Sequence, residues 1–245
     1  NALVETMSRV YDGLGRLKET LGAEQQKTAF TYDGNGNEKT LTDPLLHRTG
    51  HDYDALDRLT KTIDPNGGEI EFAYDSRDNL TQVIDPRDLA TNYLYSGFDE
   101  LAKLTSPDTG VTDYTYDLAS NLKTRKDARN VTASYQYDQQ NRITEIAYPP
   151  LNGQPAETLA FTYDDVSNGN LGKGLLTGFS DSSGNTQFKY DQYGRQVQKA
   201  QTVGTGTPKV LATSYQANGQ IEGHVLPSGA VIRYTYRADG RVLTI

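Results

Sequence analysis

The chain has 245 residues, with 32 Asp and Glu against 24 Lys and Arg, a net charge of −8, 23 Gly, 17 Tyr, no Cys and no Trp. Without cysteine there is no disulfide scaffold, thiolate zinc site, iron–sulfur centre or cysteine nucleophile, and the acidic balance argues against a nucleic-acid binder or a polybasic membrane-surface module, both of which need a positive field. No apolar run approaches the roughly 20 residues of a membrane span, the N-terminus lacks the order of a secretory signal, and the apolar fraction of 35% lies well below the usual ~45–50%, which favours thin repeated units over a thick core.

Tyrosine carries the repeat. Tyr11, Tyr32, Tyr53, Tyr74, Tyr95, Tyr116 and Tyr137 stand 21 residues apart, and Tyr163, Tyr190, Tyr215 and Tyr236 continue the series at intervals of 26, 27, 25 and 21. The eleven copies predict a single array over 1–245, with regular 21-residue repeats over 1–147 and longer, loop-inserted repeats over 148–245.

The residue after Tyr is Asp12, Asp33, Asp54, Asp75, Asp117, Asp138, Asp164 or Asp191, while Ser96, Gln216 and Arg237 depart. Three residues further on come Gly15, Gly36, Asp57, Asp78, Asp99, Ser120, Asn141, Gly194, Gly219 and Gly240, mostly types that tolerate a left-handed backbone. Asp followed by such a residue predicts a type I turn, with the carboxylate accepting local N–H groups, as in a common hairpin connection.

Before each turn the pattern alternates with period two. In 69–74, Ile70, Phe72 and Tyr74 take one face and Glu69, Glu71 and Ala73 the other, which predicts a half-buried strand. A second strand follows the turn, as in 59–63 and 80–84, with Leu17, Leu59, Leu80, Leu101, Leu122 and Ile143 recurring at its start. It ends at Asp43-Pro44, Asp64-Pro65, Asp85-Pro86 or Ser106-Pro107, where proline removes a ladder donor. Each repeat is therefore one hairpin, joined to the next by a second turn.

The predicted fold class is all-β: tandem β-hairpins forming a long, curved antiparallel sheet. Eleven hairpins give about 22 strands and roughly 105 Å of sheet. A sheet that long is expected to curl or spiral around a lumen too wide for side chains to fill.

The motifs Tyr11-Asp12-Gly13-Leu14-Gly15-Arg16-Leu17, Tyr53-Asp54-Ala55-Leu56-Asp57-Arg58-Leu59 and Tyr190-Asp191-Gln192-Tyr193-Gly194-Arg195 resemble the YD repeat of the rearrangement hotspot (Rhs) family. That family includes bacterial Rhs polymorphic toxins, the B and C subunits of insecticidal toxin complexes, wall-associated bacterial proteins and animal teneurins. The resemblance implies a segment of a spiral shell that encapsulates and helps deliver a C-terminal toxin domain. It also implies partners in that domain, in the remaining shell repeats and in delivery-system proteins, and a parent protein that is secreted or delivered to target cells. Toxin-bearing relatives carry a capping core segment after their repeats, and the sequence shows none. The chain accordingly reads as an excerpt, starting at Asn1 in the strand before Tyr11 and stopping at Ile245 in the strand after Tyr236. Unpaired strand edges at such ends predict self-association.

No catalytic residue, metal site or cofactor is expected. Arg16, Arg58, Arg142, Arg195 and Arg241 share the turn period, and each is expected to stack on a neighbouring Tyr or pair with a motif Asp. His47 and His51 stand four apart in a turn-and-strand stretch, where that spacing preorganises no metal pair, and neither they nor His224 accompany a nucleophile motif. The oxygen-rich stretches 33–38 and 164–170 lack the EF-hand glycine and twelfth-position acid, so ordinary turn chemistry is expected. Gly204-Thr205-Gly206 has no helix after it and is no dinucleotide loop. Three insertions, 149–155, 167–174 and 202–208, read as long turns. A carbohydrate-binding or surface-adhesion module is the rival reading, in which repeated Tyr faces stack on sugars.

Overall fold

A computed structural model describes residues 7–24 and 26–245. By contacts the chain divides into two units, Asn1–Asp113 and Tyr114–Ile245. The first unit contains β1 (Ser8–Tyr11), β2 (Leu17–Leu21), β3 (Lys27–Tyr32), β4 (Glu38–Thr42), β5 (Arg48–Tyr53), β6 (Leu59–Ile63), β7 (Glu69–Tyr74), β8 (Leu80–Ile84), β9 (Ala90–Tyr95) and β10 (Leu101–Ser106). It also holds the start of β11 (Gly110–Tyr116). Each strand pairs antiparallel with the next in sequence, so every link is a tight turn.

The second unit continues the pattern with β12 (Leu122–Lys126), β13 (Thr132–Tyr137), β14 (Ile143–Tyr148), β15 (Glu157–Tyr163), β16 (Leu176–Asp181), β17 (Gly184–Tyr190), β18 (Gln196–Val203), β19 (Lys209–Tyr215), β20 (Ile221–Val225) and β21 (Val231–Arg233). Within this unit too, successive strands from β12 to β21 pair antiparallel, and β22 (Thr235–Tyr236) pairs with β23 (Val242–Thr244) separately. The chain is therefore all-β, built of tandem hairpins. The count exceeds the expected 22 because the strand before Tyr236 is split at Tyr234, whose N–H still bonds the Glu222 carbonyl. The expected strand at Asn1 lies outside the described residues, which show strand from Ser8.

The repeat tyrosines each close a strand, and the turn behind them has one recurring construction. Asp12 N–H donates to the Arg16 carbonyl, Gly15 N–H donates to the Asp12 carbonyl, and Asp12 Oδ1 accepts from the N–H groups of Leu14 and Arg16. Gly15 has φ 78°, and Asp57, Asp78, Asp99, Ser120 and Asn141 take the same left-handed conformation at φ 60–67°. Just beyond the turn the register slips: Tyr11 faces Leu17, but Val10 faces Glu19. The same bulge recurs beside Tyr32, Tyr53 and Tyr74, and such bulges increase local twist.

The second turns repeat the hydrogen bonding, as from Asp43 to His47, without a bulge in the following register. Pro44, Pro65 and Pro86 sit in these turns directly after Asp, where a fixed φ suits the first central position. Leu46 occupies the left-handed position there at φ 66°.

The sheet buries little. Among the described residues only Val131 and Ala133 are buried apolar side chains. Aromatic–aliphatic pairs such as Phe30 with Leu41, Phe72 with Val83, Tyr93 with Leu104 and Tyr135 with Ile146 stand opposite one another and are half-buried. Stability must then come largely from ladder hydrogen bonds, cross-strand pairs and links between repeats.

Candidate functional site: the clamp between repeats

Repeat tyrosines reach back to the preceding repeat. The Tyr32 hydroxyl donates to the Leu17 carbonyl at 2.7 Å, Tyr53 to Glu38 at 3.0 Å and Tyr74 to Leu59 at 2.9 Å, always fifteen residues back. Tyr137 bonds Leu122 and Tyr236 bonds Ile221 at the same separation. Tyr163, Tyr190 and Tyr215 preserve the bond across the insertions, reaching Ile143, Leu176 and Gln196. The acceptor is in each case the first residue of the strand after the preceding turn. Burial raises the hydroxyl pKa of Tyr53, Tyr95, Tyr137 and Tyr190. Tyr11, Tyr95 and Tyr116 close β1, β9 and β11 in the equivalent position.

The motif arginines make both expected contacts at once. Arg58 Nε bonds Asp54 of its own turn at 2.7 Å, while Nη1 reaches the Asp75 carbonyl at 3.0 Å and Asp78 at 2.8 Å in the next repeat. Its guanidinium lies 4.8 Å from the Tyr74 ring centroid. Arg16 likewise bonds Asp12 and covers Tyr32, Arg142 bonds Asp138 and covers Tyr163, and Arg195 bonds Asp191 and covers Tyr215. A charged guanidinium suits this position because its planar fork bonds and stacks together. Arg241 differs: position 237 is Arg rather than Asp, and among the described residues the Arg241 guanidinium pairs only with Asp239, at 4.0 Å.

Three asparagines replace arginine in alternate repeats, and the sequence reading overlooked them. Asn37 Nδ2 bonds Asp33 of its own turn and Asp57 of the next, Asn79 bonds Asp75 and Asp99, and Asn121 bonds Asp117 and Asn141. The order Arg16, Asn37, Arg58, Asn79, Glu100, Asn121, Arg142 follows a 42-residue super-period broken only at Glu100, which comparing repeats in pairs exposes. It also explains left-handed Asp where glycine would be less strained: Asp57 accepts from Asn35 and Asn37, and Asp78 from Arg58.

These contacts set the electrostatics. Backbone and guanidinium hydrogen bonds from Arg16 hold the Asp12 carboxyl below its usual range, and the Arg58 side chain does the same for Asp54. Asp164 falls to about 2 through Arg142 and the Gly174 N–H. All are paired, Asp12 and Asp54 in half-buried positions, and none of these carboxylates is poised to move protons near neutrality.

The other candidates become ordinary structure. His47 Nδ1 contacts Asp43 in its turn, at 3.0 Å. His51 faces Thr62, and His224 faces Thr213, where other repeats place aromatic–aliphatic pairs. No cluster of three metal-ligating side chains occurs among the described residues. In the stretch after Tyr163, Asp165 bonds Ser167 and fully buried Asn170. The Asn170 amide bonds the Phe188 carbonyl and Tyr190 N–H, so the insertion docks like a short piece of strand. The last insertion is partly strand as well: Thr202 and Val203 extend β18 opposite Asn185 and Gly184. The guanidinium-covered faces of Tyr32, Tyr74, Tyr163 and Tyr215 are not free to stack on a sugar.

The sequence matches the teneurin YD-shell family over residues 2–171. No curated protein matches the chain. The fold is similar to solved structures of TcdB2-TccC3 (TM-score 0.78, 16% identity) and of TcdB2-TccC3-Cdc42 (TM-score 0.77, 16% identity). It is equally similar to the Photorhabdus luminescens Tc holotoxin pore with a TccC3 mutation (TM-score 0.77, 16% identity). Each match covers 97% of this chain and 14% of the other, so the chain spans about a seventh of their length. Repeat, turn, clamp and family match agree: the chain belongs to the teneurin YD-shell family.

Proposed function

We propose that this chain is a non-catalytic stretch of shell wall, one array of eleven YD repeats, whose parent protein encloses a C-terminal toxin domain and helps deliver it to target cells. The partners in this reading are the enclosed domain, the remaining shell repeats and delivery-system proteins. The observation that carries it is the clamp. Tyr74 to Leu59 and Arg58 to Asp75 join neighbouring hairpins edge to edge, so a wall one sheet thick can extend without a core. The similarity to TcdB2-TccC3 and to a Tc holotoxin pore supports the reading. Electron microscopy of the native full-length gene product tests it: density enclosed by a β-shell is expected, and an open array with no enclosed density overturns it.

A further inference from the structure

On one face of β19, β20 and β21, six residues form a grid of three strands by two rows. Strand register places Ala212 opposite Val225 and Val225 opposite Val231, while Ser214 faces Gly223 and Gly223 faces Arg233. Side-chain alternation puts all six on the same face. The grid lines a depression of 470 Å³, within the usual range for a small-ligand site. Gly223 forms its floor. A Cβ there would lie 2.5 Å from the Ile232 carbonyl oxygen, so the close approach of β21 demands glycine. One row is thus apolar, and the other offers a hydroxyl, a gap and a guanidinium. Val225 and Val231 are 44% and 56% exposed, leaving apolar surface open above the sheet.

The charges at this depression stand apart from those of the clamp. Arg16, Arg58, Arg142 and Arg195 all bond carboxylates, whereas Arg233 has no ion pair among the described residues. Glu222, the bulged residue between Ile221 and Gly223, also borders the depression, and its carboxylate likewise has no ion pair among them. One cation and one anion without partners therefore flank an open apolar row.

We propose that this depression binds an α-amino acid with a branched apolar side chain. Arg233 and the Ser214 hydroxyl take the carboxylate over Gly223, Glu222 takes the ammonium group, and Ala212, Val225 and Val231 receive the side chain. A ligand with both charges matches the rim where a simple anion or cation leaves one group unmatched.

The test is an NMR titration of the full chain with L-leucine, 4-methylvalerate and isoamylamine; the latter two are leucine without its ammonium group and without its carboxylate. Saturable leucine binding, with shifts centred on Gly223, Val225 and Val231, is expected, with each single-charge analogue weaker by about ten-fold or more. Arg233→Gln and Glu222→Gln should each weaken leucine similarly, while Lys126→Gln in another repeat should leave binding unchanged. Neither Arg233 nor Glu222 has a side-chain partner among the described residues, and an unaltered thermal melt shows that each variant folds. Absence of saturable binding, equal binding of an analogue, or leucine binding indifferent to Arg233→Gln overturns the proposal.

Discussion

The Tyr74 hydroxyl donates to the carbonyl of Leu59, fifteen residues earlier and one hairpin away, at 2.9 Å. That bond crosses a repeat boundary from a half-buried ring to a half-buried backbone group. Removing the hydroxyl leaves the carbonyl without this partner, so Tyr74→Phe is expected to cost about 1–2 kcal/mol in chemical denaturation. A loss no larger than that of an exposed substitution such as Lys39→Ala would show that the bond is incidental.

Arg58 tests the second half of the clamp. It bonds Asp54, Asp75 and Asp78 and covers Tyr74. Lysine keeps the charge but neither forks nor stacks in this way, so Arg58→Lys is expected to destabilise by about 1–2 kcal/mol. Arg241→Lys, at a position without these contacts, is expected to be near neutral in the same assay.

Left-handed residues make opposite predictions at two sites. Leu46 stands at φ 66° with an exposed side chain, so Leu46→Gly should stabilise by about 1 kcal/mol. Asp57 stands at φ 61° but accepts hydrogen bonds from Asn35 and Asn37. Asp57→Gly relieves the backbone and loses both bonds, and its expected outcome is a net loss. Equal stabilisation by the two changes would contradict a linking role for Asp57.

The turn carboxylates fix the acid response. Asp12, Asp54 and Asp164 have folded pKa values lowered from 3.8, the last to about 2. Their contribution is therefore complete above the unfolded value and is lost as pH falls from about 4 towards 2. Thermal melts should be flat with respect to these groups from pH 7 to 5 and fall steeply below 4. Asp164→Asn should lower stability at pH 7 and flatten part of that fall; an unchanged acid limb would contradict the assignment.

Much of this architecture is legible in one sequence because the hairpin is local. Tyr, Asp and a left-handed residue mark each turn, alternation marks the strand before it, and the structure has β7 at 69–74 and β8 at 80–84, as the pattern predicts. The clamp is less legible. Tyr74 meeting Leu59 depends on the register of strands in two hairpins, including a one-residue bulge that composition does not announce. Asn37 and Asn79 hide because their short amides do arginine's bonding without its charge. Leucine has no left-handed preference, so only the 21-residue spacing to Gly67 and Asp88 points to Leu46. Asn170 is further from reach, since it satisfies the backbone of a strand 18–20 residues ahead.

Limited proteolysis of the native full-length gene product, followed by intact-mass analysis, tests the enclosing role most directly. The shell account predicts that the C-terminal region is retained and protease-resistant while the wall stays folded, and becomes digestible once acid opens the turns. A C-terminal region digested freely under native conditions would contradict enclosure.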